Sequence, residues 1–152
     1  MRSVTLSADL PGHPAADTYA RITVFAAYPA HSAAIRNVTV SDVTENGSVS
    51  HWEVAFRRGI LRWTEEDTFD RAGLRIDFHQ LAGDVAVFEG SWQVRPVGAG
   101  STVTFTARLD LGIPLLADVL EPIAVRALVE NTESILRGLF GADVAASHST
   151  AA

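Results

Sequence analysis

Trp52, Val54, Phe56 and Arg58 fall on one parity of the stretch SHWEVAFRRGILRWTEEDTFD, and Leu61, Trp63 and Glu65 fall on one parity of its second half. The stretch reads as two strands joined by a tight turn at Arg58-Gly59, because alternation of this kind marks half-buried strands. An inward Arg58 would polarise a carbonyl and stabilise an enolate, although a guanidinium does not itself lose a proton. An inward Glu65, held partly out of water, would have a raised pKa and would be suited to general-base work. Each has a plainer reading. Arg57-Arg58-Gly59 makes an exposed turn, and Glu65-Glu66-Asp67 makes a solvated acidic run near a strand end.

Trp52, Trp63 and Trp92 all take the inward parity. Singly, each is ordinary core packing; as a set of three they point to a ligand cavity, since indole N–H groups need partners and flat molecules stack on them. Gln80 ends the row Leu74-Ile76-Phe78 and is placed at the cavity mouth. Asn131 interrupts the apolar stripe of a long helix, where it needs a partner in the sheet or in the cavity. Tyr28, beside Pro29, caps one end and offers a hydroxyl to a ligand or packs half-exposed. Arg62 and His79 take the outward parity, His79 remaining a reserve base if a bulge shifts the strand. His13 and His51 read as surface positions. The histidines are too far apart for a metal site, and no cofactor motif is present: no phosphate-binding loop, no dinucleotide fingerprint, no nucleophile elbow.

The elements that must position these side chains follow from the turn residues and periodicities. A strand at Val4–Asp9 ends at Pro11-Gly12-His13-Pro14. Asp17–Phe25 has helical spacing, Tyr28-Pro29 interrupts it, and a second short helical turn fits His31–Ala34. Val38, Val40 and Val43 lead to Glu45-Asn46-Gly47, where Asn-Gly favours positive φ. Turns at Arg71-Ala72-Gly73, Ala82-Gly83-Asp84 and Pro96–Ser101 separate three further alternating runs. From Gly112-Ile113-Pro114 a helical stripe runs to Leu139, with Pro122 expected to kink or split it. Arg126–Glu130 and Glu133–Arg137 suit its solvent face. Successive hairpins make an antiparallel meander that curls, and the long helix is its natural cover. The polar tail AASHSTAA is expected to fray.

Composition narrows the function classes. The chain has 152 residues, a net charge of −6 and twelve basic residues, all arginine and none clustered as a nucleic-acid footprint. The size suits a single domain spanning 1–152. Cysteine is absent, so disulfide and thiol chemistry are excluded, and a cytoplasmic location fits. No apolar run approaches the roughly 18 residues of a membrane span, and the start of the chain lacks a signal-peptide core.

The stretches FAAYPAHSAAIRNVTV, HWEVAFRRGILRWTEEDTFD, RIDFHQLAGDVAVFEGSWQV and DLGIPLLADVLEPIA resemble the START/Bet v 1-like (SRPBCC, helix-grip) superfamily, and within it the polyketide cyclase/dehydrase branch with its aromatase/cyclases. The resemblance implies an α+β helix-grip fold: a curled antiparallel sheet of about seven strands wrapped around a long C-terminal helix, with two short helices after the first strand. It implies an internal cavity in which a poly-β-ketone chain, tethered to an acyl carrier protein, undergoes aldol cyclisation and dehydration as in antibiotic biosynthesis. Arg58 and Glu65 would then be catalytic, with Tyr28, Trp52, Trp63, Gln80, Trp92 and Asn131 binding substrate and no cofactor or metal involved. The same superfamily also implies a non-catalytic carrier for a lipid, quinone or other hydrophobic small molecule, working as a monomer or homodimer. A third reading has the aromatics filling a solid core. An enclosed volume separates it from the other two.

Overall fold

The computed structural model describes residues 1–152. Eight strands form one antiparallel sheet in the order β2-β3-β4-β5-β6-β7-β1-β8. They are β1 (Arg2–Leu10), β2 (Ile35–Ser41), β3 (Gly47–Phe56), β4 (Gly59–Asp70), β5 (Arg75–Gly83), β6 (Val87–Val97), β7 (Gly100–Asp110) and β8 (Ala146–Ala151). Helix α1 (Ala15–Ile22) and a 3-10 turn (Phe25–Ala30) follow β1, and helix α2 (Ala117–Phe140) follows β7 after a short 3-10 turn (Pro114–Leu116). This is the helix-grip architecture that the alternating runs and the long amphipathic stripe lead to. No helix is long and apolar enough to cross a membrane.

Four details differ from the sequence reading. The tail does not fray: Ala146–Ala151 pairs with β1 from Ser3↔Ala151 to Ala8↔Ala146. Backbone pairing at an open sheet edge uses N–H and C=O groups, which small polar side chains do not advertise. Pro122 does not split α2, which runs unbroken from Ala117 to Phe140. The proline lies in the second turn, so it costs one hydrogen bond close to an end where donors are already unpaired. The second short helix lies earlier than expected, as the 3-10 turn that contains Tyr28 and Pro29. Finally, the β2–β3 turn uses Asp42 at φ 50° instead of Asn46 or Gly47.

The inward rows of β1, β6 and β7 form a large block of the core, in which Leu6, Val94 and Val103 are almost fully buried. Helix α2 packs mainly on β1 and β7. Glu121, buried near the start of α2, accepts the Leu111 backbone N–H at 3.3 Å and faces Arg2 Nε at 3.7 Å. The helix is thereby fixed to both strands at one end. Arg126–Glu130 and Arg137–Glu133 lie on its outer face at 3.2 and 3.0 Å.

Gly90 on β6 faces Phe78 on β5. A Cβ at Gly90 would overlap the Thr106 backbone oxygen and lie 2.9 Å from the Phe78 ring. Backbone cannot yield as a flexible side chain does, so Gly90→Ala is expected to destabilise the fold by about 2 kcal/mol or more. Chemical denaturation of the two proteins checks this.

Candidate functional site

Between the sheet and α2 lies a cavity of about 120 Å³. Twenty of its 23 lining residues are hydrophobic, so the side chains do not fill the concave face. Trp52 and Trp63 form one wall. Their positions are directly paired across β3 and β4, and the two indoles stack at 5.7 Å with a 3° interplanar angle. Phe88 meets Trp63 edge-on at 5.3 Å, and Tyr28 meets Trp52 at 5.7 Å and 67°. Trp92 and Asn131 also line the space. Its half-exposed lining residues, among them Val54, Phe56, Leu61, Ala127 and Leu128, lie on the β3–β4 hairpin and on α2, and the mouth is the gap between those two elements.

The polar groups gather on β4. Glu65 lines the cavity at 4% exposure, and Asp67, two residues on with the same parity, is fully buried. Trp63 Nε1 donates to Glu65 Oε1 at 2.8 Å. Ser50 Oγ donates to Asp67 Oδ2 at 2.6 Å and in turn accepts Trp52 Nε1–H at 2.8 Å. The Glu65 and Asp67 carboxyls act on each other at close range, and Asp67 Oδ1 is buried with no donor from any other group. Two carboxyl groups bond to each other only with a proton between them. Burial first, then the bond and charge of Asp67, hold Glu65 well above the usual carboxylate range, against a smaller lowering by the Trp63 N–H. Burial also raises Asp67, but the Glu65, Ser50 and Ser48 hydrogen bonds oppose it. Both carboxyls are thus pushed toward a pair that holds one proton, and the larger rise is that of Glu65.

Two of the expected site residues lie elsewhere. Arg58 is exposed in a two-residue turn: Phe56 pairs with Gly59, and Arg57 between them takes φ 57°. The strand ends two residues before parity would have carried Arg58 inward. Gln80 does not line the cavity; its Nε2 donates to the Val85 carbonyl at 2.8 Å and braces the β5–β6 turn. A bulge opposite Thr64/Glu65 ends the regular parity of β5 at that point. Tyr28 lines the cavity with its ring, but its hydroxyl donates to the Ile22 carbonyl and is not offered to a ligand. Burial, followed by Glu65 and Asp67, raises its pKa well above the tyrosine norm, so it stays neutral. Arg62 and His79 are exposed. His13 is half-buried, with Nε2 3.1 Å from the Phe140 carbonyl at the end of α2. Asp67 is the residue that sequence reasoning missed. Its signal was present, because Trp63, Glu65, Asp67 and Phe69 form one unbroken inward row.

A family model described as "Polyketide cyclase / dehydrase and lipid transport" matches residues 11–135. The chain belongs to this family. Among solved structures, TTHA0849 from Thermus thermophilus superposes with a TM-score of 0.82 at 26% identity, covering 90% of this chain and 93% of that one. A START superfamily protein from Mycobacterium smegmatis gives 0.75 at 16% identity, over 92% and 97%. The ZhuI aromatase/cyclase from Streptomyces sp. R1128 gives 0.66 at 19% identity, over 91% and 95%. The last two likenesses are of fold. No curated protein sequence matches the chain.

The raised Glu65 has a sign that melting experiments read. A carboxyl whose folded pKa lies above its unfolded value stabilises the fold fully below the unfolded value, and this contribution is lost as pH rises toward the folded one. Glu65→Gln keeps the neutral shape and both hydrogen bonds without a titrating proton. Its melting temperature relative to wild type is expected to rise between pH 5 and pH 8. A constant difference across that range would show that Glu65 does not hold the proton.

Proposed function

We propose that the protein binds a flat, mainly apolar small molecule in the cavity between the sheet and α2. The observation that carries this reading is the void itself, walled by the Trp52–Trp63 stack and otherwise almost wholly apolar. A solid core would close such a space, because packing to crystal-like density is the rule and an unfilled apolar cavity costs stability. A volume of about 120 Å³ suits a single aromatic ring, since an apolar cavity of about 150 Å³ takes benzene. A longer ligand would extend through the gap between the hairpin and α2.

A second reading, cyclisation and dehydration of a poly-β-ketone, is favoured by Glu65. It is the one carboxyl that lines the cavity, and burial holds its pKa well above the usual carboxylate range. In loss of water from a β-hydroxyketone, the Glu65 oxygen that faces the cavity would take the proton from the α-carbon. The pair, then holding two protons, would return one to the departing hydroxyl, leaving an enone, one water and the pair with its single proton. Arg58 has no part in this chemistry. It stands with Arg57 at the tip of the hairpin beside the mouth, where the pair would meet an acidic carrier protein delivering the chain in the cytoplasm.

Leu128→Trp narrows the mouth from the helix side. It is expected to weaken binding of an aromatic probe at least tenfold while the melting temperature stays within a few degrees of wild type. Arg58→Ala is expected to leave binding unchanged. Mass spectrometry of material released from the purified protein, followed by incubation with a synthetic poly-β-ketone, separates a binder from an enzyme. Stoichiometric binding without loss of water would sink the catalytic reading, and catalysis surviving in Glu65→Leu would remove Glu65 from it.

A further inference from the structure

The direction of the hydrogen bonds around Glu65 and Asp67 limits the ligands the cavity accepts. Trp52 Nε1–H points to Ser50 Oγ, and the Ser50 hydroxyl proton points to Asp67. Trp63 Nε1–H points to Glu65 Oε1, and the shared proton lies between the two carboxyls. Each of these protons is directed into the pair and none toward the cavity. What Glu65 presents to the cavity is therefore lone pairs on a pair bearing one negative charge. The other hydroxyls at the wall are committed as well, Tyr28 to the Ile22 carbonyl and Thr132 to the Leu128 carbonyl at 2.8 Å. No arginine or histidine lines the space. A bound carboxylate would find no counter-charge, only two neutral donors: the Asn131 side-chain amide, whose oxygen already accepts from Ser32 at 3.4 Å, and the indole N–H of Trp92. The other titratable groups acting on the pair are neutral Tyr28 and, from the outer face of β5, His79.

We propose that the Glu65–Asp67 pair is a recognition site for a neutral hydroxyl donor, a phenol or an enol, and that it excludes carboxylate ligands from the cavity. Glu65 touches the ligand hydroxyl. Asp67 is the positioning residue: it holds the shared proton away from the cavity, so that Glu65 faces the ligand as an acceptor. A phenol or enol O–H completes the arrangement, because a donor to a charged acceptor makes the stronger kind of hydrogen bond. A carboxylate would bring a second negative charge into a low-dielectric space without a counter-charge. Fatty acids are thereby disfavoured, and phenolic or enolised ketone compounds are preferred. This inference rests on the reading of the cavity as a ligand site.

Three probes of one size test it: phenol, anisole and benzoate, titrated into the full chain at pH 7 and followed by protein NMR shifts. Phenol keeps its proton at this pH, anisole has no donor, and benzoate is charged. Phenol is expected to bind about tenfold or more tighter than either of the others. In the double variant Glu65→Gln/Asp67→Asn, which removes the charge at nearly constant shape, the ratio of phenol to benzoate affinity is expected to fall toward one. A purely structural role for the pair would leave that ratio unmoved. Equal binding of phenol and anisole, or benzoate binding as tightly as phenol, would overturn the inference and leave the cavity reading standing. Failure of all three probes to bind would overturn the cavity reading itself. Should the double variant not fold, the ranking of the probes on the wild-type protein still decides the matter.

Discussion

The concave face of the curled sheet is wider than the one helix that covers it. Helix α2 packs mainly on β1 and β7, where Glu121 fixes its start to the Leu111 backbone and to Arg2. The same attachment leaves α2 standing off from the β3–β4 hairpin. The inward apolar residues of that hairpin have no α2 face to meet. Trp52 packs on Trp63 and on Phe25 and Tyr28 of the 3-10 turn, Phe88 meets Trp63, and the space beyond them stays open. Cavity, mouth and aromatic wall all follow from where the helix is held.

The acidic pair is the second consequence of that geometry. A carboxylate is rarely buried alone, because losing its hydration costs several kcal/mol. Glu65 and Asp67, on successive inward positions of one strand, both have their pKa raised by burial, which favours one proton shared by the pair, and Ser50 and Ser48 donate to Asp67. The two indole N–H groups complete the network, Trp63 directly on Glu65 and Trp52 through Ser50. The aromatic wall and the acid therefore form one unit. Glu65 is held against the ligand space by the same residues that shape it, which is the kind of support a binding or proton-transfer group needs to keep its geometry.

Much of this could be read from the chain, and the rest could not, for reasons that differ residue by residue. Parity placed Trp52, Trp63, Glu65 and Trp92 on the inner face correctly, because each lies well inside a regular strand. It placed Arg58 and Gln80 wrongly because both stand where regularity ends, Arg58 in the hairpin turn and Gln80 beside a bulge. Parity is a property of continuous strands, and one residue of slip reverses it. Asp67 was passed over as part of an acidic run, although it continues the inward row of Trp63 and Glu65. A run of charge looks solvated in sequence. Only its neighbours across the strand, Ser48 and Ser50, show that two of its three members are buried.

The sequence by itself determined the elements and their amphipathic faces. Period-two rows separated by turn residues make an antiparallel meander, and a 3.6-residue stripe after Gly112-Ile113-Pro114 makes the covering helix. These are local properties, set by backbone geometry and by which face avoids water. Tertiary structure alone decided how far the helix stands from each strand, and so that a void exists, that it is nearly all apolar, and that its acid is paired with a second one. It also turned the C-terminal tail into an eighth strand on the edge of β1. Those outcomes depend on contacts between residues distant in the chain, and on a hydrogen bond that appears only when two carboxyls are brought together out of water.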